Sequence, residues 1–547
     1  MNTISLNLSL IISQELLNMN DITFLTTNNV KLSHAKYLGR NWDVNIIQHK
    51  LLHYGVGYEE PRLFDRDKLL EESVKDAIIR WKKNISESEN RFYFLEDTSV
   101  VIHTLSEEGR EVPGVDIKYW MQENTFCQVD SALKLKGNNR RVTVNSHVVL
   151  VLTKDLKEKY GEDYFIFKSK SEGSIVESEK KFETNILYPW LDNITFNKWF
   201  VPEGEEEPIS MLPIEKADKY DFRKDAFEKM FLFLEENKKI YKKRAKEIQS
   251  RFLSNPIFII SGPTCAGKTT IGKFLLEKYG IYHIEASDFM SKEFLETHGL
   301  KPKFDIGEFA KKVLQKRPFI VVDNIFQYIE DVSNIDSIAI TGFRTPSEIE
   351  YFIKNSPYRS EFRIVYINAE YELRYKRWLT RSREIGNISR EKFDLANNLQ
   401  REMGVHKIED IKDISVVDNN KTFNDYYESF KNRFLRRVPE YTEYNNMIIE
   451  SFIPKKLEDA ILFSLAIDYR DNNQVFLTTT EISRKINEIF VNPQVEKHKD
   501  NVSRYFNQRV YPFYEVKNID NKIKYRLSPT GYSFVISLLK KRYNEKE

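Results

Sequence analysis

Hydrophobic and polar positions in the first 235 residues fall into short runs that switch between two periods. Runs rich in branched and aromatic residues predict strands over Asp21–Leu25, Arg91–Leu95, Ser146–Thr153 and Tyr164–Ser169. Leu69–Lys82 and Arg223–Glu235 repeat apolar residues every three or four positions, which predicts helices. Residues 236–254 are basic and read as a helical linker ending at Ser254-Asn255-Pro256, so a domain boundary is expected there. From 255 to 435 the pattern reads strand, glycine loop, helix, then further β/α alternation, as in a parallel sheet with crossover helices. Residues 436–454 hold two prolines and little periodicity and serve as a connection. Residues 455–547 read helix, helix, helix, two short strands and a final helix. The fold class expected is therefore α/β multidomain, with domains at 1–235, 255–435 and 455–547.

Composition narrows the picture. The 547 residues are 41% hydrophobic and 30% charged, enough apolar material for several soluble cores. Lys+Arg 84 against Asp+Glu 82 leaves a net charge of +2, so no global field draws the chain onto nucleic acid or an anionic membrane. The two cysteines, Cys127 and Cys265, exclude a disulfide framework and a four-cysteine zinc site, and fit a reducing, cytoplasmic setting. No run approaches the roughly 18 apolar residues that span a bilayer. The N-terminal MNTISLNLSLIISQELL has no basic residue before its apolar part and no small-residue cleavage site, so it reads as structure and not as a signal peptide.

The most specific motif is Gly262-Pro-Thr264-Cys-Ala266-Gly267-Lys268-Thr269-Thr270, preceded by the apolar run Ile257–Ser261 and followed by a helical pattern. Glycines let the backbone curl so that successive N–H groups face phosphate oxygens, and the helix N-terminus adds partial positive charge. Lys268 is placed to reach the β/γ phosphates of ATP, and the Thr269 hydroxyl to ligate Mg²⁺. Farther on come Gly342-Phe-Arg344 after a strand, and Arg374, Arg377, Arg381 and Arg383 on a helix, the first three within reach of one face. This order resembles the nucleoside monophosphate kinases and the dephospho-CoA-kinase-like P-loop kinases. The resemblance implies that Arg344, Arg377 and Arg381 neutralise the transferred phosphoryl group. Thr341 stands where that class carries an acid, leaving Asp288 and Asp323 as candidates for a further Mg²⁺ carboxylate.

In the first domain, Thr26-Thr-Asn28-Asn-Val-Lys31 follows a strand, Glu59-Glu60 precedes a helix, and Glu96-Asp97-Thr98 ends an apolar strand. Acids at strand ends beside a lysine suit Mg²⁺–polyphosphate binding, although such acids are commonly turn residues. The ordered set, with Pro113-Gly114-Val-Asp-Ile-Lys118, Pro213-Ile-Glu-Lys216 and Asp221-Phe222-Arg223, resembles the inosine triphosphate pyrophosphatase family. That family cuts non-canonical purine nucleoside triphosphates to monophosphate and pyrophosphate. The resemblance implies a mixed-sheet domain, a homodimer, metal ligands Glu60, Glu96 and Asp97, and phosphate or substrate contacts from Thr26, Asn28, Lys31, Lys118 and Lys216. Its base-reading positions differ: Phe196 and Asn197 replace a Trp-Asp pair, and Phe222 replaces a histidine. Base recognition is therefore expected to shift from edge hydrogen bonds towards stacking on Phe196 and Phe222, with Arg223 the remaining strong donor.

At the C-terminal end, helices over Thr480–Phe490 and Val495–Arg509 precede strands Tyr514–Lys517 and Lys522–Leu527, separated by a turn at Asn518–Asn521. The order resembles a winged helix, whose second helix and hairpin lysines would meet DNA or, in the alternative, a partner protein. Tyr505, Phe506, Tyr511 and Phe513 are expected to build its core. The whole reads as a bifunctional, Mg²⁺- and ATP-using enzyme acting on nucleoside triphosphates and monophosphates. Such a pairing suits phage DNA modification or anti-phage defence. The alternative is a nucleotide-sensing regulator.

Overall fold

The computed structural model describes residues 21–49, 66–84, 88–242, 256–332, 337–358, 361–382, 389–440, 454, 456–472, 475–490, 499–508 and 510–544. The chain divides into two units, residues 1–246 and 247–547.

In the first unit the alternation of Asp21–Leu25 becomes strand β1, and β2 (Asn45–His49) and β3 (Phe92–Ile102) lie parallel to it on either side. β4 (Pro113–Gly114), β5 (Arg141–Val151), β6 (Tyr164–Ile175) and β7 (Phe200–Pro202) complete a 7-stranded mixed sheet, ordered β2-β1-β3-β5-β6-β7 with β4 on β3. Successive side chains point to opposite faces, so each strand feeds two cores. Phe24, Phe94, Val148 and Leu150 pack on one face against Phe227, Met230 and Phe231 of helix Lys224–Glu236. Tyr93, Leu95, Val149 and Val151 pack on the other against Leu70, Val74, Ala77 and Trp81 of helix Arg66–Asn84.

The expected helix over 236–254 is not formed where it is described. Helix Lys224–Glu236 stops because Lys238 takes a left-handed conformation (φ 56), and the Lys239 N–H turns back to the Leu234 carbonyl. Lys242 then pairs with Trp42 as an isolated bridge. The remainder of that run, from 243, lies outside the described residues.

The second unit holds a 5-stranded sheet of β8 (Ile257–Ser261), β9 (Tyr282–Glu285), β10 (Ile338–Thr341), β11 (Phe362–Asn368) and β12 (Ser415–Asp418). Its order is β12-β11-β8-β10-β9 and every pairing is parallel. β8 is central, with later strands on both sides, so the loop after it lies at a topological switch point. The same unit carries helices Leu457–Arg470, Thr479–Ile489 and Lys499–Gln508, hairpin β13 (Tyr514–Ile519) and β14 (Lys522–Leu527), and helix Pro529–Asn544. Asp520 and Asn521 both have positive φ, which matches the two-residue turn favoured between twisted antiparallel strands. The aromatic side chains pack inward, with Phe506 stacked on Tyr525 and Phe513 on Phe534. The exposed side of Lys499–Gln508 carries Asp500 as well as Arg504.

Among the described residues no helix is long and apolar enough to cross a membrane.

Candidate functional site

Each unit gathers its candidate residues where parallel strands end. In the first, β1 delivers Thr26 and Asn28 to the start of helix Asn29–Leu38. Asn28 caps that helix: its Oδ1 accepts the N–H groups of Val30 (2.9 Å) and Lys31 (3.2 Å). Lys31 reaches across to Glu96, donating to its carbonyl oxygen (3.2 Å) and to Oε2 (3.0 Å). Arg223 donates from Nε to Glu96 Oε1 (3.0 Å) and from Nη2 to Thr98 Oγ1 (2.7 Å), while Ser146 also donates to Oε1. Burial opposes a charge on Glu96, but Arg223 and Lys31 outweigh it and hold the carboxyl well below the usual range.

Glu96 and Asp97, two of the expected metal ligands, make different contacts in this structure. Glu96 is engaged by Lys31 and Arg223, which compete with a divalent ion for its oxygens. Asp97, its neighbour along β3, belongs to the opposite face and pairs in register with His147 and, one strand on, Lys168. One strand cannot aim both acids into one coordination sphere. Glu59 and Glu60 lie outside the described residues. Among the described residues no group of three or more His, Cys, Asp or Glu is arranged to hold a metal ion. On the Asp97 side of the sheet, a cavity of about 680 Å³ is lined by Arg66, Arg110, His147, Lys168 and Lys170, with Glu107 and Glu111 offsetting part of the charge.

The expected stacking residues are both buried in this structure. Phe196 and Phe222 are each 4% exposed, so both rings are already covered by protein. Phe196 packs edge-on against Trp199, and the Arg223 guanidinium sits 4.6 Å from the Phe222 ring. Lys216 is exposed and pairs with Glu205, and Lys118 is exposed above Tyr119; neither joins the Glu96 cluster.

In the second unit Gly262 has φ 142, and a Cβ there would collide with the Ile367 carbonyl oxygen, so only glycine lets the loop leave β8. Gly267 and Ala266 complete the curl; Lys268 opens helix Lys268–Tyr279, with Thr269 and Thr270 in its first turn. Lys268 Nζ donates to the carbonyls of Gly262 and Pro263, both at 2.8 Å. The Thr264 N–H donates to Gln400 Oε1 (2.9 Å). Arg374 and Arg377 grip the loop from outside, donating to the carbonyls of Thr264 and Cys265. Arg377 also holds Asn419, whose amide donates to the Ala266 carbonyl. These two arginines thus brace the loop in this structure. Arg381 falls on the same helix, and Arg383 lies outside the described residues.

The acid beside Thr269 is one that the sequence reading passed over. Glu285, last residue of β9, accepts the Thr269 hydroxyl at Oε2 (2.9 Å) and the Thr341 hydroxyl at the same oxygen (2.8 Å). A strand ending in an acid directly after the glycine-loop helix was the available signal. Thr341, in the place of an expected acid, therefore supports an acid supplied by the next strand. Gly342 has φ 93, a left-handed conformation that favours glycine, and a Cβ there would meet Glu285 Oε1. Thr341 has one proton and gives it to Glu285, so His283, 2.7 Å away, must donate from Nε2. Asp288 and Asp323 are corrected accordingly. Asp288 is buried and accepts the Thr530 N–H (3.1 Å); burial, then the charge of Glu285, push its carboxyl well above the ordinary value. Asp323 bonds the Tyr351 hydroxyl. Burial pulls the Arg344 guanidinium below its ordinary value, and the charges of Glu285 and Glu348 act the other way.

Residues 22–233 match the model of the Ham1 family, and residues 258–399 match that of an AAA domain. No curated protein matches the chain. Similar solved structures include a HAM1 protein from Coxiella burnetii, at 17% identity over 40% of this chain and 98% of that one, with a TM-score of 0.29. The Ham1 protein of Staphylococcus aureus is 17% identical over 40% of this chain and 99% of its own, with a TM-score of 0.28. A nucleoside-triphosphatase (dITP/XTP pyrophosphatase) from Mycobacterium abscessus is 16% identical over 38% of this chain and 98% of its own, with a TM-score of 0.25. The chain thus carries a Ham1-like region followed by a region similar to AAA P-loop domains.

Proposed function

We propose that the chain is a bifunctional enzyme: a nucleoside triphosphate pyrophosphohydrolase in its first unit and an ATP-dependent nucleoside monophosphate kinase in its second. The observation that supports this best is that each unit builds its own cation–carboxylate cluster at its strand ends, Lys31–Glu96–Arg223 in one and Lys268 with Thr269–Glu285 in the other. In the first unit, Lys31 and Arg223, at the open end of the Glu96 cluster, supply positive charge for a polyphosphate chain. Water attack at the α-phosphorus releases pyrophosphate and leaves a monophosphate.

In the second unit, a hydroxyl and a buried carboxylate 2.9 Å apart beside the glycine loop fit a hydrated Mg²⁺ ion. Bound there, the ion supplies charge neutralisation for the terminal phosphates of ATP. Lys268 exchanges its two loop carbonyls for phosphate oxygens, and Arg344 orients an anionic acceptor near Glu285.

A second reading, a nucleotide-sensing protein, is favoured by one contact: Thr530, at the start of the last helix, bonds the backbone of Glu285. The test is pyrophosphate release from a panel of ribo- and deoxynucleoside triphosphates, run beside ATP-to-ADP conversion with each monophosphate. Turnover in both arms is expected. Nucleotide binding with turnover in neither favours the sensor.

A further inference from the structure

Two residues given no role above, His34 and Asp221, close a circuit around the first unit's cluster. Lys31 and His34 lie one turn apart on helix Asn29–Leu38. Lys31 pairs with Glu96 (3.0 Å), Glu96 with Arg223 (3.0 Å), and the Arg223 N–H donates to Asp221 Oδ1 (2.9 Å). Asp221 Oδ2 meets His34 Nε2 at 2.6 Å, which returns the circuit to the helix where it began. The inner pair is enclosed, with side chains 3% and 7% exposed, while Lys31 is 27% and Arg223 11% exposed at the open end. Trp190 lies flat against the His34 ring, 4.4 Å away and 3° from parallel, which fixes the plane from which Nε2 is presented.

We propose that His34 and Asp221 are positioning residues that set nucleotide affinity through Arg223. Asp221 accepts the main-chain N–H of residue 223 and thereby fixes where the Arg223 side chain departs; His34 holds Asp221 in the orientation that does this. Arg223 spends Nε and Nη2 on Glu96 and Thr98, which leaves Nη1 directed by the same geometry for an anionic or carbonyl group of the nucleotide. This rests on the reading of the first unit as a nucleoside triphosphate site.

The experiment uses the full chain carrying Lys268→Ala, which removes the glycine loop's side-chain cation and weakens triphosphate binding there, and this background is common to every variant compared. KM and kcat for pyrophosphate release are measured together with the Kd of a non-hydrolysable nucleoside triphosphate analogue. His34→Leu is expected to raise KM and Kd about tenfold while kcat stays within about threefold. His34→Gln keeps a donor at the Nε2 position and recovers most of the loss. In an Arg223→Ala background His34→Leu changes Kd no further, because a residue acting through Arg223 has nothing left to act on. A Kd altered less than twofold by His34→Leu, or an undiminished effect in the Arg223→Ala background, overturns the proposal. If His34→Leu does not fold, Asp221→Asn takes its place, with the same cycle and a Kd rise of at least threefold expected; no rise overturns it. A chain that binds the analogue without releasing pyrophosphate removes the hydrolase reading, and the Kd cycle still decides this inference. A chain that binds no analogue overturns both.

Discussion

At the scale of single residues, the second unit turns on Glu285. Its carboxylate is buried, yet it accepts hydroxyls from Thr269 and Thr341, and neighbouring His283 and Lys268 help hold it below its ordinary value against the cost of burial. Glu285→Gln keeps the shape and an acceptor but removes the charge. ATP-dependent phosphoryl transfer should fall about 100-fold or more, the scale of losing one electrostatic stabiliser, with the melting temperature little changed. Transfer at the wild-type rate would remove Glu285 from the site. His283 makes a second prediction. Burial pulls its pKa down to about 4 from the ordinary 6.5, with Glu285 acting the other way. Between those values the unfolded chain binds a proton that the folded chain refuses. The contribution is full above pH 6.5 and is lost as pH falls through the window, by up to about 1.4 kcal/mol per pH unit. Urea midpoints from pH 4.5 to 7 should therefore slope less in His283→Asn than in wild type. Equal slopes would mean that His283 titrates normally.

At the scale of elements, the last helix is bound to the nucleotide sheet by polar contacts. Thr530 is fully buried; its Oγ1 accepts the Glu285 N–H (3.0 Å) and its own N–H donates to Asp288 (3.1 Å). Lys273 of the glycine-loop helix caps helix Leu457–Arg470, donating to the carbonyls of Tyr469 and Arg470, both at 3.1 Å. Tyr532 donates to Glu277 of the same glycine-loop helix (3.0 Å). Thr530→Val keeps the volume and strands a buried N–H, which should cost about 1–3 kcal/mol in denaturant unfolding. A cost near zero would show that this junction contributes no stability. The same contact explains why Asp288, a carboxylate candidate by sequence, is committed to the junction.

At the scale of the whole molecule, each unit completes its own core and its own cluster from its own residues. Lys268→Ala should therefore abolish ATP-dependent transfer and leave pyrophosphate release within about twofold, since the proposed role of Lys268 is on the phosphates of ATP in the second unit. Parallel assays of the two activities on the purified variant decide it. Loss of both activities from a folded variant would mean one shared site instead of two.

The sequence alone determined what depends on near neighbours. Ile257–Ser261, the glycine loop and the helix after it follow from local sterics and apolar periodicity; so do β1 with its Thr26–Asn28 cap and the Asp520-Asn521 turn. The tertiary structure decided what depends on parity and strand order. Glu96 and Asp97 look equivalent as letters, but a strand alternates its side chains, and only the packing of β3 between β1 and β5 sets which acid meets Lys31 and Arg223. Glu285 and Thr341 are 56 positions apart and meet because β9 and β10 pair in register. His34 and Asp221, 187 positions apart, meet only when the helix after β1 packs beside the turn that opens helix Lys224–Glu236. Local patterns write the elements because their energetics are local; the sites join residues brought together by register and burial, which no short stretch of sequence encodes.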